Sequence, residues 1–296
     1  MKLKFTTPKK LREAGVLGMN ERNAGVIMEM NPRSGYQLVD NKLVTKQAAE
    51  KAKLPIPPTY GVVEMIQETK LSKVANVLGQ RTSFVIKPAR GAGGKGVLVI
   101  KSRRHNTFFK PSGQPVSLKD IRIHLSQTLG GVYSLGGHRD VALIEYRVKS
   151  ASEFNKLSYQ GAPDLRVILC KGEILLAMVR SATSESDGKA NLHQGGIGIG
   201  VDLESGQTTY AFRKGEYIEE HPDTGEPLTG VQVPFWSEVK DLANRAAEMS
   251  ELGYIGVDIM IDSDLGPVLI EMNARPGLAI QLANKQGLSP LIQALR

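Results

Sequence analysis

With 296 residues, 38 Lys and Arg against 30 Asp and Glu, and a net charge of +8, the chain can bury a substantial core and has the length of roughly two domains. A hydrophobic share of 41% beside 23% charged residues argues against a mainly disordered chain. The sequence has no apolar run of about 18 residues and its opening MKLKFTTPKKLREAG lacks an apolar core, which argues against a membrane span or secretory signal and leads us to expect a cytoplasmic protein.

The single cysteine, Cys170, lies in the apolar run LRVILC and reads as a buried strand thiol rather than a nucleophile. Part of the basic excess sits in KSRRHNTFFK and beside Arg122, His124, His138 and Arg139. Such clusters suit nucleotide phosphates or an acidic peptide as well as nucleic acid. Aromatics are only 5% and no zinc-finger spacing occurs, so nucleic acid is the secondary reading.

Taken in order, residues 1–40 are basic, then rich in Gly, Asn and Met without sustained periodicity, and read as an irregular N-terminal segment. In NKLVTKQAAEKAKLPIPPTYG, Val44, Ala48, Ala49 and Ala52 fit one face of a short helix that LPIPP stops, with Lys42 at its start. A second helix is expected over VVEMIQETKLSKVANVLG, with Val63, Ile66, Leu71, Val74 and Leu78 at helical spacing and Gly79 closing it.

TSFVIKPARGAGGKGVLVIK follows, two β-branched runs around a glycine-rich turn, hence a hairpin. Gly91, Gly93, Gly94 and Gly96 leave backbone amides unhindered, and Lys87 and Lys95 add positive charge, so the turn is a candidate phosphate clamp. Lys95 is followed by Gly96 and then by a strand, which rules out both a Walker A motif and a Rossmann fingerprint.

After the basic stretch, within a long loop over 102–140, SLKDIRIHLSQTLGG reads as a helix; beyond it VALIEYRV reads as a buried strand with Glu145 near its end, and LRVILCKGEILLAMVR as a hairpin turning at Lys171-Gly172. Asp164, Arg166 and Arg180 stand at the outer ends of that hairpin. SATSESDGKANLHQGGIGIGVDL is a polar loop entering a glycine-rich strand, with Asn191, His193, Gly195 and Gly196 as candidates for close ligand approach. WSEVKDLANRAAEMSELG carries Val239, Leu242, Ala243, Ala246 and Met249 on one helix face, and Trp236 reads as a core anchor.

The stretch over 256–278 has two apolar runs, VDIMI and PVLIEM, around the turn DSDLG, and so reads as a hairpin. Alternation puts Glu271 and Asn273 on one face. If the register aims Asp258 the same way, three hard oxygen ligands converge, which suits Mg²⁺.

Lys42 opening a helix, Lys87 before GAGGKG, Glu145 ending VALIEY, and the set Asp258, Glu271 and Asn273 together resemble an ATP-grasp enzyme. Through PDLRVIL, NLHQGG and GVDIMI…PVLIEMNARPGL the chain is most similar, over roughly residues 40–296, to RimK-like alpha-L-glutamate ligases. The resemblance implies an α+β, ATP-grasp fold, two α+β subdomains holding ATP between them, without a complete N-terminal domain ahead of them. It divides the chain into an irregular segment (1–40), a lid subdomain with the glycine-rich loop (41–144) and a core subdomain with the metal hairpin (145–296).

By the same resemblance Lys42 and Lys87 contact ATP phosphates, with Gly91, Gly93, Gly94, Lys95 and Gly96 in the lid. Glu145 and Tyr146 sit at the adenine hinge, Asp164 and Asn191 belong to the nucleotide pocket, and Asp258, Glu271 and Asn273 match the metal ligands. The cofactors implied are ATP and Mg²⁺, two ions, with Mn²⁺ as an alternative. The expected reaction joins an amino acid, glutamate first, to a carboxylate acceptor (a peptide, a protein tail or a small acid) through an acyl phosphate, with Arg180 or Arg275 stabilising the tetrahedral oxyanion.

Departures from the family pattern are the short N-terminal segment, the insertion from Ser150 to Ala162, the loop over 102–140, and Arg275, where a small residue is frequent. No nucleic acid or membrane partner is expected, and a homo-oligomer is compatible with the reading. Readings from other classes are a catalytically silent nucleotide-binding regulatory protein and a basic nucleic-acid-binding protein.

Overall fold

The computed structural model describes residues 7–91, 93–186, 188 and 190–296. Its strands in chain order are β1 (Thr59–Val63), β2 (Phe84–Pro88), β3 (Leu98–Ile100), β4 (Ser102–Arg104), β5 (Thr107–Phe109), β6 (Pro115–Ser117), β7 (Ala142–Glu145), β8 (Asp164–Cys170), β9 (Glu173–Ser181), β10 (Ile197–Val201), β11 (Thr208–Arg213), β12 (Glu216–Ile218), β13 (Tyr254–Asp262) and β14 (Gly266–Asn273). Among the described residues they form a four-stranded sheet ordered β1-β7-β2-β3, a seven-stranded sheet ordered β12-β11-β10-β9-β8-β13-β14, and a three-stranded sheet ordered β4-β5-β6. The chain is thus α+β.

The seven-stranded sheet is antiparallel wherever its strands pair. On one face Leu165, Val167, Leu169, Val179, Ile199 and Val257 join the core with Leu242, Ala243 and Ala246 of the Trp236–Glu248 helix. Trp236 is buried and its Nε1 donates to the Leu203 carbonyl at 3.1 Å, an anchor that fills volume while satisfying its one polar atom.

The opposite face changes character along each strand. At one end Ile168, Cys170, Leu176, Met178 and Tyr254 are covered by Leu17, Val26 and Ile27 from the N-terminal segment and by Ile280, Ala283, Leu288 and Ile292 near the C-terminus. Cys170 is therefore a buried strand thiol, as expected, and burial pushes it up. At the other end the same face carries Asp164, Arg166, Arg180 and Asp258.

Four expectations need correction. Where an irregular segment was expected over residues 1–40, helical turns form at Pro8–Glu13, Met19–Glu21, Arg22–Ile27, Met28–Met30 and Tyr36–Val39. Tertiary burial of Leu17, Val26 and Ile27 stabilises them in place of a long periodic pattern. Of the face expected for the Lys42–Lys51 helix only Ala49 is buried, and Thr45 and Lys46 are buried beside it. The second expected helix is shortened to Leu71–Leu78, because Val62 and Val63 are drawn into β1 against Leu143 and Ala142 of β7. The loop over 102–140 holds β4–β6, pinned by Phe108 packed edge-on against Phe84 at 5.5 Å, and the expected Leu118–Leu129 helix.

The hairpins at β2–β3, β8–β9 and β13–β14 all form, the second through Lys171 and Gly172 with φ of 48° and 84°. No helix among the described residues is long and apolar enough to cross a membrane.

Candidate functional site

Alternation along β8 sends Asp164 and Arg166 to the face opposite Leu165 and Val167. Antiparallel register then sets Asp164 across from Arg180, Arg166 across from Asp258, and Asp258 across from Glu271, while Asn273 stands opposite Gly256. Four adjacent strands thereby deliver one polar row. The register does aim Asp258 towards Glu271 and Asn273.

The ionic partners within that row differ from the open ligand set expected. Asp258, 3% exposed, accepts from both Nε and Nη2 of Arg166, the latter at 2.7 Å, from Arg180 Nη2 at 2.8 Å and from Asn273 Nδ2 at 3.4 Å. Three of those donors crowd Oδ2, while Oδ1 accepts from Arg166 Nε. Burial works against its charge, but the Arg166 and Arg180 guanidiniums outweigh burial and hold the carboxyl down at about 2. Asp164 instead has one guanidinium, Arg180 at 2.6 and 2.7 Å, and burial pushes its carboxyl up. Arg180 itself is pulled down by burial yet raised on balance by Asp164 and Asp258.

A second cluster joins the four-stranded sheet to the Lys42–Lys51 helix. Lys87 on β2 and Glu145 on β7, 5% and 4% exposed, lie 2.5 Å apart, and Lys46 reaches Glu145 at 2.7 Å and the Pro57 carbonyl at 2.7 Å. Two buried ammoniums share one carboxylate, which leaves one positive charge in excess. Burial opposes the Glu145 carboxylate, yet Lys87 and Lys46 hold it below its ordinary value, while burial depresses Lys46.

One helical turn before Lys46, Lys42 donates to the Gly91 carbonyl at 2.7 Å and lies 3.4 Å from Glu271. Asn41 caps that helix by accepting from Leu43 N at 3.0 Å. Lys42 is therefore the bridge between the glycine-rich turn and the hairpin that carries Glu271.

The turn has its own supports. Asp140 accepts from Arg90 N at 3.1 Å and from Ser134 Oγ at 2.5 Å, and Gly91 bridges to Ser134. His124 Nε2 lies 2.9 Å from the Gly96 carbonyl. Gly96, with φ of 73°, needs glycine twice over, since a Cβ there would run into the Tyr133 ring. At the tip, a Cβ on Gly93 would lie 4.0 Å from Asn191 Nδ2, so the turn reaches across to the Asn191 loop.

The structure thus joins Lys42 to Gly91 and Glu271, Lys87 to Glu145, and brings Gly93 towards Asn191. Gly94 and Lys95 are exposed in the same turn. Tyr146 N donates to the Pro58 carbonyl at 2.9 Å and its hydroxyl lies 3.4 Å from Asp262. Arg275 is exposed and its guanidinium sits 5.1 Å from the centre of the Tyr36 ring. Lys46 escaped the sequence reading, although it stands four residues after Lys42 on the same helix face, and Arg166 was placed at the hairpin end with Asp164 and Arg180 but given no role at the site.

Two tests of fit follow. In the hinge segment, Arg147 Nε and Ser150 Oγ are buried without a hydrogen-bond partner among the described residues, leaving unspent polar capacity beside the cleft, as a nucleotide pocket needs. For a divalent cation, Glu271 and Asn273 present hard oxygens two residues apart, while Asp258 is already paired with two guanidiniums. Among the described residues no group of three or more His, Cys, Asp and Glu side chains forms a metal cluster. Glu271 and Asn273 fit Mg²⁺ with further positions left to water or phosphate; at Asp258 a cation would share the carboxylate with Arg166 and Arg180.

Two α+β units that face each other across a lysine-lined cleft, one with a glycine-rich hairpin and the other with an acidic hairpin, define the ATP-grasp class. The chain belongs to the family described as sugar-transfer associated ATP-grasp, whose model matches residues 21–296. A probable alpha-L-glutamate ligase of Maridesulfovibrio salexigens is 29% identical over 122 residues, 41% of this chain and 29% of the relative. One of Haemophilus ducreyi is 23% identical over 267 residues, 90% of this chain and 65% of the relative. The chain thus spans less than two thirds of the length of either relative.

Among solved structures, D-cycloserine synthetase DcsG is similar with a TM-score of 0.54 and 16% identity, over 89% of this chain and 71% of that one. Biotin carboxylase from Campylobacter jejuni gives 0.51 and 14%, over 84% and 43%. Both share the fold. The expected ATP-grasp, RimK-like kinship therefore stands, within a family whose description refers to sugar transfer.

Proposed function

We propose that the chain is an ATP-dependent carboxylate–amine ligase. The observation that carries this reading is Lys42, whose ammonium touches both the Gly91 carbonyl at the base of the glycine-rich turn and the Glu271 carboxylate of the hairpin. With Lys46 and Lys87 close by, that corner concentrates cationic groups where a triphosphate would need them.

The chemistry follows from charge. A carboxylate and a γ-phosphate are both anions, so they meet only where fixed positive groups offset their repulsion. Lys42 and Lys87 would hold phosphate oxygens, and Lys46 would keep Glu145 ionised as their counter-charge. Glu271 and Asn273 would hold Mg²⁺, which when bound supplies further neutralisation of the triphosphate. The turn from Gly91 to Gly96 would close over the site and exclude water, protecting an acyl phosphate from hydrolysis until an amine attacks it. Arg275, free of ion pairs among the described residues, is better placed than Arg180 to meet a developing oxyanion, because Arg180 is already held by Asp164 and Asp258.

The substrates of this reading are an amino acid, glutamate first, and a carboxylate on a peptide or small acid. Mass spectrometry of products after incubating the protein with Mg²⁺·ATP, a panel of amino acids and cell extract tests it: an amide product together with ADP is expected. A second reading, a nucleotide-binding protein that catalyses nothing, is favoured by the two ion pairs that hold Asp258. It predicts nucleotide binding without ADP release under any of these conditions.

A further inference from the structure

The charge of the chain is unevenly spread. Residues 70–139 hold 13 of the 38 Lys and Arg but only one of the 30 Asp and Glu, Asp120, so the basic excess lies in this stretch and the rest of the chain is net acidic. Asp120 is spent on its own helix, accepting from Ser117 N at 2.8 Å and from Ser117 Oγ at 2.6 Å. Of those 13 cations only Lys87 forms an ion pair among the described residues. Such a concentration of one sign repels itself and raises the local concentration of anions.

Three guanidiniums of this stretch are held in place before any partner arrives. Arg103 lies over the Phe108 ring at 5.0 Å and donates to the Gly79 carbonyl at 2.6 Å and to the His105 carbonyl at 2.8 Å. Arg81 lies over the Tyr60 ring at 4.2 Å and donates to the Val77 carbonyl at 2.9 Å. Both therefore meet at the C-terminal end of the Leu71–Leu78 helix, where the helix dipole favours cations. Arg104, next along β4, is exposed with its guanidinium 5.8 Å from the centre of the Phe109 ring, and exposed Lys101 and His105 flank the strand. Stacking and backbone bonds limit the rotamer freedom these arginines have to lose, and their remaining N–H groups are preset for anionic oxygens.

The surroundings choose among polyanions. From Leu98 to Arg122 no large apolar side chain is exposed. A protein partner needs an apolar centre to its interface and a bilayer needs something to insert, and this surface supplies neither. Interfaces with nucleic acid are more polar and far more positive. We propose that the surface formed by β4, the β4–β5 turn and the end of the Leu71–Leu78 helix binds nucleic acid through its phosphodiester backbone. The bases are not read, because guanidiniums already cover the Tyr60, Phe108 and Phe109 rings and leave no stacking platform. The low aromatic share of the sequence thus bears on base recognition and not on backbone binding. None of these residues belongs to the Lys42–Glu271 corner, and the assignment does not rest on the ligase reading.

Fluorescence anisotropy of labelled oligo-U and oligo-dT, each of about 20 nucleotides, titrated with the full chain between about 50 and 200 mM salt, tests the assignment. Both strands should bind within a factor of about three of each other. The logarithm of affinity should fall against the logarithm of salt with a slope of about −3, as expected when Lys101, Arg81, Arg103 and Arg104 each neutralise one phosphate. Lys101→Gln combined with Arg104→Gln should flatten that slope by about 1.4 and weaken binding by about tenfold at low salt, with the unfolding midpoint unchanged. Saturating Mg²⁺·ADP should leave the binding as it is.

Absence of binding, or an unaltered slope in the double variant, would overturn the proposal. Displacement by Mg²⁺·ADP would do so by moving the contact into the cleft. Equal affinity for poly-L-glutamate, or for vesicles containing phosphatidylserine, would do so by assigning the surface to an acidic protein or to a membrane. The assay reads no ADP release, so each of these outcomes leaves the ligase reading to its own test.

Discussion

Glu145 is held between two buried ammoniums, so its removal strands both of them. Glu145→Ala should destabilise the chain by about 3–5 kcal/mol, because an uncompensated buried charge costs far more than a broken surface pair. Lys46→Met, which leaves the neutral Lys87–Glu145 pair, should cost clearly less, and urea unfolding of the two variants gives the ordering. At His124, burial depresses the imidazole below its ordinary 6.5, and Lys110 adds to this against the opposing bond to Gly96. A base depressed in the folded state contributes stability that is present above 6.5 and is lost as pH falls through the depressed value. Hydrogen exchange of the amides of residues 93–97, corrected for intrinsic rate, should therefore quicken as pH falls below 6.5 and lose that added pH dependence in His124→Gln.

Among elements, the helix opening at Lys42 and the glycine-rich turn depend on a few fixed positions. Gly96→Ala would put a Cβ into the Tyr133 ring at a left-handed backbone angle. It should lower Mg²⁺·ATP affinity by roughly tenfold, read by titration of a fluorescent ATP analogue, with a smaller change in unfolding midpoint. Elements were legible where local pattern and burial agree: Leu165, Val167 and Leu169 alternate with Arg166 and Ile168, and the hairpin turn at Lys171-Gly172 is a purely local signal. They were illegible where tertiary contact decides. Val62 and Val63 suit a helix face as well as a strand, and only β7 draws them into a sheet. The Lys42–Lys51 helix turns its Lys46 inward because Glu145, 99 residues away, compensates the charge.

At the scale of the molecule, the charged row on the seven-stranded sheet exists because the same face is apolar at its other end and is covered there by both chain termini. Asn31 ties the N-terminal segment to that sheet, accepting from Tyr254 N and donating to the Tyr254 carbonyl, both at 2.8 Å. Arg22 donates to the Pro276 carbonyl at 2.8 Å. Deleting residues 1–31 should expose Ile168, Leu176, Met178 and Tyr254, and the shortened chain should bind a hydrophobic dye and elute as aggregates in size-exclusion chromatography. A monomer of unchanged stability would contradict that cover. The sequence alone pointed to the candidate residues Lys42, Lys87, Glu145, Glu271 and Asn273 through their motifs. It did not reveal that Asp258 is already matched by Arg166 and Arg180, because that pairing is a property of the register of β8, β9 and β13.

The central claim is that one cleft, with Lys42, Lys87 and Glu271 on its walls, receives Mg²⁺·ATP. Titration of a fluorescent ATP analogue with and without Mg²⁺, on the unmodified chain and on Lys87→Ala, tests it most directly. Saturable, Mg²⁺-dependent binding that falls by about a hundredfold in the folded variant is predicted; equal binding by both proteins would contradict it.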